Sequence, residues 1–284
     1  MILRKIAEII LRSNLRGGTR FTLLLARNFA SLQSIPIKLP NGDSLIVDLR
    51  LLSTHNLMIG KVPEIAEQQV MRNLVKEGMF AIDIGAHVGV HTILLSKLVE
   101  RGRVWAFEPQ PDCLPSLRQT VATLSNVVLF TLALSDKKGE TEFYIAEHRP
   151  MSGLSNWTAS SKKIKCQTAT LDELVEKENH PPDFIKCDIE GAELLCFRGA
   201  RKTLDRKQAP IMLFEANEAA HGLGFEINDA FDFLKNLENA KYSFFEILPE
   251  GDLIEIKLLR HMRSNILAIP QSKLEILGEG GAFR

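Results

Sequence analysis

No run of this sequence approaches the roughly 20 apolar residues that cross a bilayer. The longest apolar stretch, Val127 to Leu134, is of strand length and is interrupted by Thr131. Near the start, Glu8 and Arg12 break up any signal-peptide core, so secretion is unsupported. A charge excess is missing too: 35 bases face 35 acids, which gives no global pull toward nucleic acid and disfavours a basic nucleic-acid binder. The four cysteines, Cys113, Cys166, Cys187 and Cys196, form no C-x-x-C pair and no zinc-like spacing with histidine. They read as reduced, mostly buried thiols in a cytoplasmic chain, without a disulfide framework. Internal repeats and low-complexity segments are absent as well, apart from a Ser/Lys-rich stretch at 152–165 that reads as a loop and a candidate lid.

What is present is an ordinary globular composition, 284 residues with 45% hydrophobic and 25% charged, enough to bury a sizeable core. From Met79 onward strands and helices alternate. The strands are expected at 79–84, 103–108, 127–134, 183–188, 210–216, 242–248 and 264–269. Helices are expected near 87–101, ended by Gly102, at 112–124, capped by Asp112, and at 171–178, 192–205 and 228–239. Such alternation predicts a doubly wound α/β fold, a mostly parallel seven-stranded sheet with helices on both faces. Before it, Pro40-Asn41-Gly42-Asp43 between two apolar runs signals a hairpin, and Val62-Pro63-Glu64 opens a helix that ends at Gly78. The division expected is an extension over 1–57 and the main domain over 58–284.

The most informative stretch is Phe80-Ala-Ile-Asp-Ile-Gly-Ala-His-Val-Gly-Val-His-Thr92, followed one helix later by Val104-Trp-Ala-Phe-Glu-Pro109. A strand, a glycine turn, a helix and a second strand ending in an acid make half a nucleotide site. Gly85 and Gly89 let backbone approach a ligand, and the helix start beyond them offers free N–H groups. Glu108 can accept from both ribose hydroxyls. A dinucleotide fingerprint needs Gly-x-Gly-x-x-Gly, but position 87 is His, and the Asp83 carboxylate would repel a pyrophosphate while attracting an ammonium or sulfonium. The pattern therefore favours S-adenosylmethionine over NAD.

A second cluster, Asp183-Phe-Ile-Lys-Cys-Asp-Ile-Glu-Gly-Ala-Glu193, ends another buried strand at Asp188, on the sheet edge that Asp83 and Glu108 share. Asp188, Glu190 and Glu193 cannot all be buried as ions without a partner; they face solvent or hold a proton, a metal or a cationic cofactor. For Glu193 the simpler expectation is a solvated helix acid, and for His221 a surface histidine without a chemical task.

Taken together, Asp83-Ile-Gly-Ala-His-Val-Gly89, His91-Thr92, Phe107-Glu-Pro-Gln-Pro111, Ala133-Leu-Ser-Asp-Lys-Lys-Gly139, Phe143, Thr170-Leu-Asp172, Ile185-Lys-Cys-Asp-Ile-Glu-Gly191 and Pro210 to Glu215 resemble FkbM-type S-adenosylmethionine-dependent methyltransferases over about residues 58–270. His87 and His91 depart from that family's usual Asn and Tyr. The resemblance implies that Asp83, Gly85 and Gly89 line the methionine end of the cofactor and that Glu108, with Pro109 beside it, holds the ribose; His87 can still donate to the cofactor carboxylate or change which substrate fits. It also implies that Leu134, Ser135 and Asp136 edge the adenine and that Asp188 and Glu190 face the methyl. Asp188 is the leading catalytic candidate, as base or, alternatively, as magnesium ligand, followed by Glu190 and Glu215; no dedicated metal site is expected. The implied activity is O-methylation of a sugar, glycolipid or polyketide-like hydroxyl, with a small-molecule, glycan or lipid-linked acceptor and no nucleic acid. The rival classes are a non-catalytic binding protein on the same fold and an NAD-dependent oxidoreductase.

Residues 1–34 stand apart, with six bases against the single acid Glu8 and Ile2, Leu3, Ile6, Ile9 and Ile10 at helical spacing. A basic amphipathic helix of this kind either docks on the catalytic core or a second subunit as a homodimer, or lies at an anionic membrane surface, placing the protein peripherally at the inner membrane.

Overall fold

In the computed structural model, residues 2–13, 15–146, 152–154, 161–259 and 263–278 are described below. The basic N-terminal segment forms two helices, α1 (Ile2–Arg12) and α2 (Gly18–Asn28). The expected hairpin follows as β1 (Ile35–Lys38) and β2 (Ser44–Val47), paired antiparallel, and leads into the short helix α3 (Ser53–Met58). Helix α4 (Ile65–Leu74) then delivers the chain to the main sheet.

That sheet has eight strands, not the seven expected. Its members are β3 (Phe80–Ile84), β4 (Arg103–Phe107), β5 (Val127–Phe130), β9 (Phe184–Cys187), β10 (Ile211–Asn217), β11 (Tyr242–Ile247), β12 (Leu253–Ile256) and β13 (Arg263–Pro270). They lie in the order β12-β11-β13-β10-β9-β3-β4-β5. The five strands from β10 to β5 are parallel, and β13 runs antiparallel between β10 and β11. Helices α5 (Val90–Val99), α6 (Leu114–Val121), α8 (Glu193–Arg198), α9 (Arg201–Leu204) and α10 (Asp229–Lys235) fill the crossovers. The chain winds outward from β3 through β4 to β5 and then returns to β9 on the other side of β3. Doubly wound sheets bind ligands at such a reversal.

The continuous apolar runs of these strands have a simple cause: both faces of the sheet are covered. Along β3, Phe80, Ile82 and Ile84 join one core with Trp105, Phe107, Ile185, Phe214 and Phe231, while Ala81 joins the opposite core with Val70, Met71, Leu94 and Leu95. Each large side chain so buried contributes roughly 1.5–3 kcal/mol. A third core fastens the N-terminal layer to the main domain, because Ala7, Ala26, Leu45 and Val47 pack together with Val88 and Ile93.

Several expectations need correction. The stretch 127–134 is not one strand: β5 stops at Phe130, and the chain leaves the sheet edge so that β6 (Ala133–Leu134) can pair with β8 (Ser161–Ala169). With β7 (Gly139–Ala146) these strands form a second, three-stranded sheet. The 152–165 loop is therefore strand from Ser161 onward, and 155–160 of the candidate lid lie outside the described residues. Asp112 is not a cap; Cys113 precedes α6 and no side chain caps it. Helix α5 ends where Glu100 turns to φ 45°, two residues ahead of Gly102. The expected helix over 192–205 breaks into α8 and α9 at Gly199–Ala200, and Asp172, in the helix α7 (Leu171–Val175), caps the second piece by accepting from the backbone N–H groups of Lys202 and Thr203.

The tightest point of the sheet is Gly85. A Cβ there would sit 1.9 Å from the carbonyl oxygen of Asp188, and φ is +85°. Gly78 has the same φ but open space around it. Gly78→Ala should therefore cost only the left-handed strain, about 1–2 kcal/mol, whereas Gly85→Ala should cost more than about 3 kcal/mol by adding a backbone collision. Urea unfolding of the two variants measures the difference; equal losses would refute the close-approach account.

Candidate active site

The carboxyl ends of β3, β4 and β9 border a cavity of about 360 Å³ at the winding reversal, within the roughly 300–1,000 Å³ typical of small-molecule sites. Gly85, His87, Glu108, Pro109, Leu134, Asp188 and Glu190, all named from the sequence, line it. Asp83, Gly89, Ser135, Asp136 and Glu215 do not.

The reasons differ. Asp83 is wholly buried behind the first turn, where its Oδ2 accepts from the Thr92 hydroxyl at 2.6 Å and its Oδ1 has no partner. Gly89 is needed for helix packing, since a Cβ would stand 3.0 Å from both Leu117 and Thr120 side chains. The collision at Gly85 is likewise with the protein's own β9 end, so neither glycine is explained by ligand approach. Ser135 continues from β6, its N–H donating to the carbonyl of Ala169, and its hydroxyl turns to Asp136. Leu132, Ala133, Leu134 and Phe143 supply the apolar wall instead.

Glu108 is the most constrained acid of the rim. Its Oε2 accepts from the backbone N–H of His87 at 2.8 Å and its Oε1 from that of Gln110 at 2.7 Å. A carboxylate has about four acceptor sites, so each oxygen retains capacity for one more donor. Burial raises its pKa to about 7, against the two backbone bonds that lower it. His87 itself adopts φ 53°, and its Nε2 meets the Ser53 hydroxyl of α3 at 2.9 Å.

The other end of the cavity is a knot of charge. Lys186, buried within β9, reaches Oδ2 of Asp188 at 3.2 Å. Asp188 is held below its ordinary pKa: burial opposes ionisation, but the Lys186 charge and hydrogen bond outweigh it. Glu190 lies at φ 54° in the turn after β9, and burial plus the charges of Asp188 and Glu215 push its pKa up to about 9. At neutral pH its protonated form is favoured. Glu215 lies outside the cavity wall, its Oε1 accepting from Arg263 and its Oε2 from Asn217, both at 2.5 Å. One oxygen from each of Asp188, Glu190 and Glu215 falls within 4.8 Å of the others, a spacing that could converge on a cation. Lys186 and Arg263 already supply positive charge to two of the three.

Glu193 corrects another expectation. It is buried, not solvated; its Oε1 accepts from the backbone N–H of Ile189, closing the Asp188 turn, and burial raises its pKa to about 8. His221 fits the plain expectation, half exposed and 3.6 Å from Glu226.

Sequence reasoning missed Ser53, Glu64, Lys186 and Arg263, all on the cavity wall. Glu64 takes φ 53° ahead of α4 and stands 3.4 Å from the Nε2 of His91, a ring nitrogen otherwise without a partner. Burial depresses the His91 pKa to about 4, so the ring is neutral near pH 7. Lys186 had a signal: a lysine inside an apolar, buried strand needs a buried acid beside it. Ser53, Glu64 and Arg263 come from distant segments and had none.

Residues 83–244 match the Methyltransferase FkbM domain. The chain belongs to this family. The FkbM span takes in the glycine turn, Glu108 and the Asp188 turn, and leaves Ser53, Glu64 and Arg263 outside it. Over 156 residues the chain is 24% identical to the 2-O-methyltransferase NoeI of Sinorhizobium fredii (strain NBRC 101917 / NGR234), covering 49% of this chain and 64% of NoeI. It thus spans a little under two thirds of that relative's length. Among solved structures it is similar to precorrin-6y C5,15-methyltransferase from Geobacter metallireducens GS-15, with 15% identity, a TM-score of 0.42, and 73% and 89% of the two chains covered. It is also similar to an O-methyltransferase from Thermotoga maritima, with 12% identity, a TM-score of 0.41, and 86% and 95% covered.

The buried acid Glu193 gives a pH test of the site's construction. Its folded pKa of about 8 lies above the ordinary 4.5, so the folded state binds the extra proton. Its contribution is present below about pH 4.5 and is lost as pH rises toward 8. Glu193→Gln keeps the acceptor for Ile189 and removes the titration. Its melting temperature should exceed that of the parent chain at pH 8 and converge with it near pH 5; a constant offset at every pH would contradict burial as the cause.

Proposed function

We propose that the chain is an S-adenosylmethionine-dependent methyltransferase that alkylates a hydroxyl oxygen of a sugar-containing, glycolipid or polyketide-like small molecule. The observation that carries this reading is Glu108: a carboxylate at the end of the second strand of the winding, fixed by two backbone N–H bonds, with acceptor capacity left on both oxygens. Two adjacent ribose hydroxyls suit such a group. The cavity fits the rest of an adenosine cofactor, with the apolar wall of Leu132, Leu134 and Phe143 near one end and the orphaned Asp83 oxygen behind the first turn. Membership of the FkbM family and the name of NoeI, a 2-O-methyltransferase, support oxygen as the acceptor atom.

S-Adenosylmethionine, when bound, supplies a methyl group already activated on a sulfonium. The remaining work falls to the protein. Holding an alcohol oxygen in line is worth up to roughly 7–11 kcal/mol in well-oriented cases. Removing its proton adds about 100- to 10,000-fold. Asp188 is suited to that task because Lys186 keeps it ionised while taking up only Oδ2. Glu190, protonated at neutral pH, can donate to an acceptor oxygen and orient it. Neutral His91 also borders the cavity, with its buried Nε2 3.4 Å from Glu64. An NAD-dependent reading is disfavoured by His87, whose ring occupies the place of the second fingerprint glycine and engages Ser53.

Calorimetry with S-adenosylmethionine and its demethylated product should give binding that strengthens as pH rises through about 7, where Glu108 ionises. Glu108→Gln cannot accept from both backbone N–H groups and a ribose at once, and should weaken binding by about tenfold or more. Incubation with methyl-labelled cofactor and glycan, lipid and small-molecule extracts identifies the acceptor. Asp188→Asn should still bind cofactor but transfer label about 100- to 10,000-fold more slowly. No heat on mixing with the cofactor removes the proposal, and label appearing only in RNA or protein overturns the acceptor class.

A further inference from the structure

Helices α1 and α2 dock by a narrow, small-residue face. Ala7, Gly18, Thr22 and Ala26 are buried where the two helices meet each other and the hairpin core, with Leu3, Leu11 and Leu25 partly covered beside them. This accounts for one apolar face of the segment and leaves a second. Ile2, Ile6 and Ile9 fall on one stripe of α1 by their spacing of four and three, and Ile2 and Ile9 are 74% and 66% exposed. On α2, Phe21 and Leu24 repeat the arrangement three residues apart at 49% and 56% exposure, and Leu15 and Phe29 at the ends of that helix are open as well. Seven of the eleven large hydrophobic side chains left exposed among the described residues therefore sit in one short segment, and isolated surface apolar residues do not cluster this way by chance.

The charges around this face select its occupant. Lys5, Arg12, Arg16, Arg20 and Arg27 are exposed along the same two helices and the turn between them, and Glu8, the segment's single acid, is tied to Arg12 at 2.9 Å. Over the whole chain bases and acids balance at 35 each; residues 1–34 hold six bases and one acid, so residues 35–284 carry 29 bases and 34 acids. A second copy of this chain would bring like charge against like charge across the face. An anionic bilayer meets both features at once, apolar side chains entering the headgroup boundary while arginines stay with lipid phosphates.

We propose that α1 and α2 form a peripheral docking surface for an anionic lipid bilayer. Neither helix is long and apolar enough to cross it. The surface is coupled to the cavity by short steps of chain: α1 packs against α3, whose Ser53, Asn56 and Leu57 line the cavity wall. The bilayer contact does not depend on the methyltransferase reading, and its test reads lipid binding alone.

The full chain is mixed with phosphatidylcholine vesicles, with and without phosphatidylglycerol, and floated on a density gradient. Flotation with the anionic vesicles only, reduced by added salt, is the expected result. Ile2→Asp combined with Ile9→Asp should lower the partition coefficient by about tenfold or more, and so should the independent pair Phe21→Ser and Leu24→Ser. All four sites are exposed, so melting temperature and cofactor binding should match the parent chain. Failure of the parent chain to float with anionic vesicles overturns the proposal. So does equal flotation with neutral vesicles, or sedimentation showing a dimer that the same substitutions dissolve.

Discussion

One buried ammonium sets the character of the rim. Lys186 lies inside β9, with β3 and β10 hydrogen-bonded on either side, and it is surrounded by the carboxylates of Asp188, Glu64 and Asp83. Their combined charge outweighs the burial that opposes it and holds the lysine protonated. Removing one partner of such a pair typically costs 3–5 kcal/mol, because it leaves the other charge buried and unpaired. The energetic consequence runs outward from this point. Asp188 can remain an ion at the cavity only because Lys186 sits behind it, and Glu190, two residues along the turn, is driven to hold a proton by burial and then by the charge of Asp188. Two carboxyl groups two residues apart thereby acquire opposite protonation states, the condition under which neighbouring acids can take different chemical parts.

Much of this was legible locally. The apolar runs of β3, β4, β9 and β10 mark buried parallel strands because both faces of the sheet are covered, and Glu108 and Asp188 stand where two of those runs end. Spacing alone could not separate two uses of glycine. At Gly85 and Gly89 the pattern is the one a ligand-binding turn would require, yet the space is denied by Asp188 and by α6. Thr131 hinted that 127–134 was not continuous, but where the second half would pair depended on β8, thirty residues later. Glu64, Ser53 and Arg263 were invisible for the same reason. Each enters the cavity from an element whose local pattern describes only its own helix or strand, and their convergence is a property of the winding.

Three of the five described non-glycine residues at positive φ follow the same geography. His87, Glu190 and Glu64 all adopt positive φ, and all three border the cavity. Such conformations cost of order 1–3 kcal/mol each and persist only where surrounding contacts impose them. Here the contacts are identifiable: the His87 N–H is held by Glu108, the turn at Glu190 by Glu193 bonding to Ile189, and Glu64 precedes α4 beside His91. The cavity wall is a set of backbone kinks pinned by carboxylates.

Helix α3 joins two parts of the molecule that the sequence suggested were separable. It follows the hairpin of the N-terminal layer, it touches α1, and its Ser53 holds the ring of His87. A chain shortened to the family-matching segment would lose a side of its own cavity along with its appendage. Exchange of this layer between relatives would then change the cavity wall and the proposed bilayer surface together, as one inheritable cassette.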